Sequence, residues 1–565
     1  MNSFKNFLVC MALLLFIFPG CGKLGDQTTG LITGEAMVVS AHPLASAAGA
    51  NMMKNGGNAV DAAIAVQFAL AVVYPSAGNI GGGGFMVIRQ SDGSLHSLDY
   101  REKAPMQAHR KMYQNKNGDV INDLSILGHL AAGVPGSVDG MVRAYEQFGT
   151  LPWRDLIQPA IDLAEKGFPL TEREASKLND NRAEFISTNT VTPRFLLDER
   201  WAAGDLVYMK NLANTLKRIR DHGRSGFYEG ETADLIISEM KRGNGIINHD
   251  DLRRYESKWR EPVTANYRKL RIISMGPPSS GGIALIQLLK MIENYEVDTM
   301  DWKSENYVHL LVEAEKRVYA DRAVWLGDAD YFPVPVEQLL DDGYLHRRMA
   351  DFSFNHAISS DSISEGNTQL EESVETTHFS IVDPWGNAAS VTTTLNGSFG
   401  AKVVVGGAGF FLNNEMDDFS IKSGFPNMFG LVGSDANAIE PGKRMLSSMT
   451  PAIIEKNDSL YMVIGSPGGS RIITSVFQCL LNVTAFKMNM QESVSAPRFH
   501  HQWKPDRIYV EPGRIPEITK QHLVEMGHIF EETGSIGSVN AILMIPGKGM
   551  EGGADPRGDN TASGF

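Results

Sequence analysis

Thr376-Thr377-His378-Phe379-Ser380-Ile381-Val382-Asp383 decides how this chain is read. It follows an acidic segment and starts an alternating run that predicts a strand. A threonine at that junction offers an unusual chemistry. If the bond before Thr376 is cut, its hydroxyl becomes a nucleophile with its own α-amine as the adjacent base. An α-amine, with an unperturbed pKa of roughly 7.7–8.0, is substantially neutral near physiological pH, where a lysine side chain is protonated.

Working outward, residues 351–375 carry Asp351, Asp361, Glu365, Glu371, Glu372 and Glu375, several serines, and no lysine or arginine. That composition predicts a flexible segment that buries little. A solvated loop before an ordinary strand has the same composition, so the loop alone does not establish cleavage. Downstream, Asp383-Pro384-Trp385-Gly386-Asn387 is a turn signal, and Ala388 to Asn396 is a second β-rich run. A hairpin centred on Trp385 sets Thr394 directly opposite Thr376, with Asn396 just beyond. A slip of one residue would turn these side chains to the other face.

The 565 residues suffice for a large core, and no low-complexity linker divides them. Net charge is −14 with no basic block, which argues against nucleic acid as a partner. At the start, Lys5 and the apolar run Phe7 to Phe18 predict a signal peptide over residues 1–20, too short to span a bilayer comfortably. Gly20-Cys21 resembles a lipoprotein cleavage box, making Cys21 a lipidation candidate and 21–36 a tether. A plain secretory signal is the alternative, and either way the protein is exported, to the periplasm or cell envelope. Cys479, in an apolar run, reads as a core residue.

Strands are predicted at Met37–Ser40, Phe85–Ile88 and Leu95–Tyr100, with helices at Pro43–Lys54 and Asp61–Val73. The middle reads as helical, including Asn306–Trp325 with Glu313, Glu315, Lys316 and Arg317 on its polar side. Four glycines, Gly81 to Gly84, suit close backbone packing better than a phosphate loop. The strand-rich C-terminal third flanked by helices predicts an α+β layered domain.

Gly465-Ser466-Pro467-Gly468-Gly469-Ser470-Arg471 lies between an apolar strand and an apolar helix. Its amides could form an anion hole, or simply a tight turn. Asn413 to Asp418 is an acidic and amide cluster suited to a cationic amine. Arg101, at a strand end, is a natural carboxylate clamp or an ion-pair partner of Glu102. His500-His501 suggests a metal only faintly.

From Met37 to Phe565 the chain resembles the γ-glutamyltransferases, which are N-terminal nucleophile hydrolases. The motifs are Gly56-Gly57-Asn58-Ala59-Val60-Asp61-Ala62-Ala63, Leu98 to Glu102, Thr376 to Ser380, Asn413 to Asp418, Leu446-Ser447-Ser448-Met449 and Gly465 to Arg471. The resemblance implies a four-layer αββα sandwich and a precursor that cuts itself between Glu375 and Thr376. Residues 37–375 would be the large subunit and 376–565 the small catalytic one, paired as a heterodimer. Thr376 would be the nucleophile, Thr394 its hydrogen-bonding neighbour, and Gly468 and Gly469 the oxyanion hole. Arg101, Ser447 and Ser448 would hold the α-carboxylate of a glutamyl group, and Asn396, Glu415 and Asp418 its α-amine. Glutathione and γ-glutamyl compounds would be donors, and water, amino acids or peptides acceptors, with no cofactor and no metal. The lid after the acidic cluster carries Phe429 where relatives often have a tyrosine. An acylase taking another acyl group and a non-catalytic surface protein are the rival readings.

Overall fold

The computed structural model describes residues 29–121, 123–191, 193, 195, 200–363, 376–513 and 515–565. The leader, Cys21, the first half of the tether (21–28) and residues 364–375, Glu375 among them, lie outside the described residues.

The hairpin around Trp385 sits at the centre of a sheet. Strand Thr377–Val382 pairs antiparallel with Ala388–Thr394, Thr377 opposite Thr393 and Val382 opposite Ala388, the register a turn centred on Trp385 predicts. The sheet runs Thr561–Gly564, Met37–Ser40, Thr377–Val382, Ala388–Thr394, Gly83–Arg89, Leu95–Asp99, Lys258–Arg260, antiparallel throughout. A second antiparallel sheet runs Leu31–Thr33, Gly549–Ala554, Asn540–Ile545, Ser459–Gly465, Ala452–Lys456, Leu270–Ser274, Val263–Tyr267.

Alternation along each strand sorts the side chains into layers. Val39, Phe85, Val87 and Val382 meet Ile273, Ile453, Val463 and Ile542 in the core between the sheets. The intervening Val38, Phe379, Ile381 and Val391 pack with the Ala/Val-rich helices Pro43–Lys54 and Ala59–Val73. Ile272, Ile454, Met462 and Ile464 pack with helices Gly281–Ile292, Glu305–Trp325 and Arg471–Thr484. The result is the expected helix–sheet–sheet–helix sandwich. Near Thr376 the sheets are stitched by polar groups: Ser380 Oγ donates to Asn540 O (3.0 Å) and Asn540 Nδ2 to His378 O (2.9 Å).

The sequence motifs have local reasons. Asn58 caps helix Ala59–Val73 in a capping box with Asp61. The Ala59 amide donates to Asp383 Oδ2 at 3.0 Å, tying this helix start to the hairpin turn. The glycine run is a packing device, as expected. A Cβ on Gly82 would lie 2.0 Å from Thr394 O, and one on Gly84 2.3 Å from Thr392 O.

Two expectations are corrected. Glu313, Glu315, Lys316 and Arg317 do not face solvent; all four are buried. Helix Glu305–Trp325 is enclosed by other elements, and its charges pair internally, Glu313 with Lys316 (3.0 Å) and Arg317 (2.8 Å). The acidic segment is also anchored over its first part. Ser360 and Ile363 are buried, Trp503 Nε1 donates to Ser360 O (2.9 Å), and Arg317 pairs with Asp351 (2.7 Å). Backbone groups and a buried tryptophan hold it, which composition alone does not report.

Candidate active site

Thr376 stands at the lip of the hairpin, 5% exposed, with its Oγ1 3.4 Å from Thr394 Oγ1. Thr394 Oγ1 accepts the Asn396 amide at 2.8 Å, and Asn396 adopts φ 74° to turn the chain there. Asn79 braces this corner from below. Its Nδ2 donates to Thr394 O (2.9 Å) and Thr393 Oγ1 (3.1 Å), while its Oδ1 accepts from Gly82 N and Ser137 Oγ. Nothing in the sequence singled out Asn79, since its partners lie on three separate segments.

Gly468 and Gly469 precede helix Arg471–Thr484 with φ 136° and 52°. Among the described residues neither amide donates a hydrogen bond. Two uncommitted amides at a helix start form an anion-binding corner. Gly468 lines a cavity of about 340 Å³ with Thr376, Lys177, Glu174 and Asp559. Gly469 lines a narrower pocket with Thr376, Thr394, Asn396, Arg101, Asp418, Ser447 and Ser448. Thr376 therefore separates two chambers. A larger cavity, about 630 Å³, lies elsewhere around Trp201, Tyr208 and Val404, and no candidate site residue lines it.

The narrow pocket is charged. Arg101 lies 2.5 Å from Asp418, 2.6 Å from Glu415 and 3.6 Å from Glu102. The Glu415 contact is close but is not an aligned hydrogen bond. Burial opposes the Arg101 charge, but Glu415, Asp418 and Glu102 outweigh it and hold the guanidinium charged. Burial pushes the Glu102 carboxyl up to about 8, and raises Glu415 and Asp418 too, despite Arg101. So both readings of Arg101 hold geometrically: it ends a strand at the pocket, and it is a structural ion pair.

Ser447 Oγ accepts the Met449 amide at 3.1 Å, and Ser448 Oγ accepts from Arg322 Nη2 at 3.0 Å. Arg322 was not foreseen. The Phe429 ring lies against Gly469, where an added Cβ would come within 2.7 Å of it. Asn396 Nδ2 reaches Asn414 O (3.1 Å) and, more weakly, the Met428 sulfur (3.6 Å). The lid is pinned by Met428 N to Asp417 (2.7 Å) and Asn427 Nδ2 to Asp418 (2.9 Å).

The histidines serve packing. Burial drops His378 to about 3, so it is neutral, and it bonds Thr392 and Ser380 hydroxyls. His500 bonds Thr474 and Gln502, while His501 meets Asp506. His309, Glu313 and His528 also converge, but Glu313 is already neutralised by Lys316 and Arg317. Cys479 is buried, as expected, and burial raises its thiol pKa.

This sandwich, with a threonine opening a central strand beside uncommitted amides, defines the N-terminal nucleophile hydrolase class. The family model for gamma-glutamyltranspeptidase matches residues 45–565, and the chain belongs to that family. It is 47% identical to a glutathione hydrolase proenzyme of Pseudomonas aeruginosa over 90% of this chain and 91% of that one. It is 41% identical to one of Escherichia coli, over 94% and 92%. Among solved structures, a cephalosporin acylase from Bacillus halodurans superposes with TM-score 0.85 at 27% identity, over 98% of this chain and 99% of that chain.

Proposed function

We propose that this chain is the precursor of a γ-glutamyltransferase that hydrolyses glutathione. Cleavage before Thr376 would separate a large subunit, 37–375, from a small one, 376–565. In that step Thr376 Oγ attacks the Glu375 carbonyl, the peptide bond becomes an ester, and water opens it. The freed α-amine then takes the Thr376 hydroxyl proton as the oxygen attacks a γ-glutamyl carbonyl. The Gly468 and Gly469 amides receive the oxyanion, and Thr394 orients the nucleophile. The leaving amine takes that proton from the α-amine, leaving a glutamyl ester on Thr376, which water, deprotonated by the same amine, then hydrolyses to glutamate and free Thr376.

The observation that carries this reading is the charge pattern of the narrow pocket. A glutamyl group bears a carboxylate and an ammonium on one carbon. Arg101, Ser447 and Ser448 suit the first; Asn396 and Asp418 on the wall suit the second, with Glu415 buried behind them against Arg101. Substrate would divide the Arg101–Asp418 pair and replace it with two pairs. The wider chamber, with Lys177 and Asp559 on its walls, suits the leaving group and an amino-acid or peptide acceptor. An acylase for a carboxylate-only group is favoured by the Bacillus halodurans likeness but has no use for Asp418 and Glu415.

The leader reading adds export to the periplasm or envelope and a lipid on Cys21, supported by Gly20-Cys21 at the end of the apolar run. Among the described residues no helix is long and apolar enough to cross a membrane. Purified protein, assayed with glutathione and with γ-glutamyl and glutaryl anilides, tests the activity. Preference for the glutaryl anilide would reverse the assignment. Mass spectrometry of the membrane fraction tests Cys21, and a mature terminus elsewhere would refute the lipid.

A further inference from the structure

Arg322 ends the long helix Glu305–Trp325 inside the protein, 5% exposed. Its Nε donates to Ser280 Oγ (3.0 Å) and its Nη2 to Ser448 Oγ (3.0 Å). Ser280 Oγ passes the hold on to Ser447 O at 2.7 Å. One guanidinium thus fixes both serines of the narrow pocket. Among the described residues Arg322 forms no ion pair. Burial lowers its pKa to about 10, and Asp418 acts on it from a distance, so it stays charged at neutral pH. A buried cation without a carboxylate is costly unless another group balances it.

Hydrogen-bond direction is the second observation. Arginine only donates, so Ser448 Oγ must accept from Arg322, and its own proton is left to point elsewhere. Ser447 Oγ accepts from the Met449 amide and keeps its proton in the same way. Among the described residues neither hydroxyl donates. Both serines line the narrow pocket. Arg101 is meanwhile committed: its Nε and Nη2 also serve the Met445 and Leu446 carbonyls, and three carboxylates surround it.

We propose that Arg322 is the positioning residue that makes the pocket select acyl groups with an α-carboxylate. It turns the Ser448 proton into the pocket and stands behind it with a positive charge that, among the described residues, no carboxylate pairs. This rests on the γ-glutamyl reading. A bound α-carboxylate would accept from both serine hydroxyls and balance the Arg322 charge through Ser448. The carboxylate end is then held by two cations once substrate draws Arg101 away from Asp418.

The test uses the full-length protein with Arg322→Met and Arg322→Lys, and two anilides, γ-glutamyl and 4-aminobutyryl. The second keeps the amine and lacks the α-carboxylate. Arg322→Met is expected to raise KM for the γ-glutamyl anilide about tenfold or more, with kcat changed less than about threefold. Turnover of the 4-aminobutyryl anilide should not change. Arg322→Lys should recover part of the lost KM, because it restores the charge. Adding Ser448→Ala to Arg322→Met should raise KM little further, since both act on the same hydroxyl. Equal losses on both anilides, or a loss in kcat alone, would show that Arg322 only supports the loop and would overturn the proposal. If Arg322→Met does not mature into two chains, the same comparison on Arg322→Lys decides: an unaltered KM ratio between the anilides overturns it. Wild type that prefers the 4-aminobutyryl anilide would instead refute the γ-glutamyl reading itself.

Discussion

Arg101 and Asp418 are joined at 2.5 Å, Nη2 to Oδ2, inside the pocket that opens on Thr376. On the proposed γ-glutamyl reading, Arg101 would partner the carboxylate end of the substrate and Asp418 its ammonium, and here each occupies the other. Binding on that reading would exchange one ion pair for two, which would favour a zwitterion over an acyl group carrying a single charge.

That exchange predicts an asymmetric effect for Asp418→Asn. Loss of the partner for the substrate ammonium should lower kcat/KM for a γ-glutamyl anilide by an amount worth about 2–4 kcal/mol. A glutaryl anilide, which has no ammonium, should lose much less. Self-cleavage should proceed, because Asp418 takes no part in that chemistry. Steady-state assays and denaturing gels check both, and equal losses for the two anilides would contradict the exchange.

Thr376→Ala should remain a single chain on denaturing gels, since no hydroxyl attacks the preceding carbonyl. Wild type should give a second chain whose amino-terminal residue is Thr376. An alanine variant that still yields that terminus would remove Thr376 from the cleavage step.

Gly469→Ala should separate folding from catalysis. Its φ of 52° costs an L-residue about 1–2 kcal/mol, and its new methyl would press on the Phe429 ring. Tilting an oxyanion amide should cost about 2.7–4 kcal/mol in kcat, more than the ~1–2 kcal/mol of backbone strain. Rapid kinetics beside a melting curve measures the two. A normal kcat would show that the Gly469 amide does not receive the oxyanion.

Glu102→Gln should change how stability depends on pH. Burial raises the Glu102 carboxyl to about 8, from an ordinary 4.5. The folded cluster of Arg101, Glu102, Glu415 and Asp418 holds a proton that the unfolded chain releases near pH 4.5. That contribution is complete below about pH 4.5 and is lost as pH rises through about 8. The Tm of the variant relative to wild type is therefore expected to climb between pH 5 and pH 9. A constant difference across that range would contradict a buried, protonated carboxyl.

The sequence alone determined what depends on near neighbours. Alternation and the turn at Trp385 put Thr377 opposite Thr393 and so Thr376 beside Thr394. Helix Pro43–Lys54 has the boundaries its composition indicates, and the glycines before Arg471 adopt backbone angles only glycine accepts readily. Such features repeat over a few residues, so their period is visible in one dimension. The tertiary structure decided what depends on layers meeting. Arg101 and Asp418 are 317 residues apart, and Arg322 reaches Ser448 across 126. No local pattern encodes those distances. Nor could composition show that Glu313, Lys316 and Arg317 lie inside, because a charged helix face is stable in the interior only when partners from other segments enclose it. The chain supplies the reactive groups in readable order, while packing of the two sheets and their helices fixes which charges remain for the substrate.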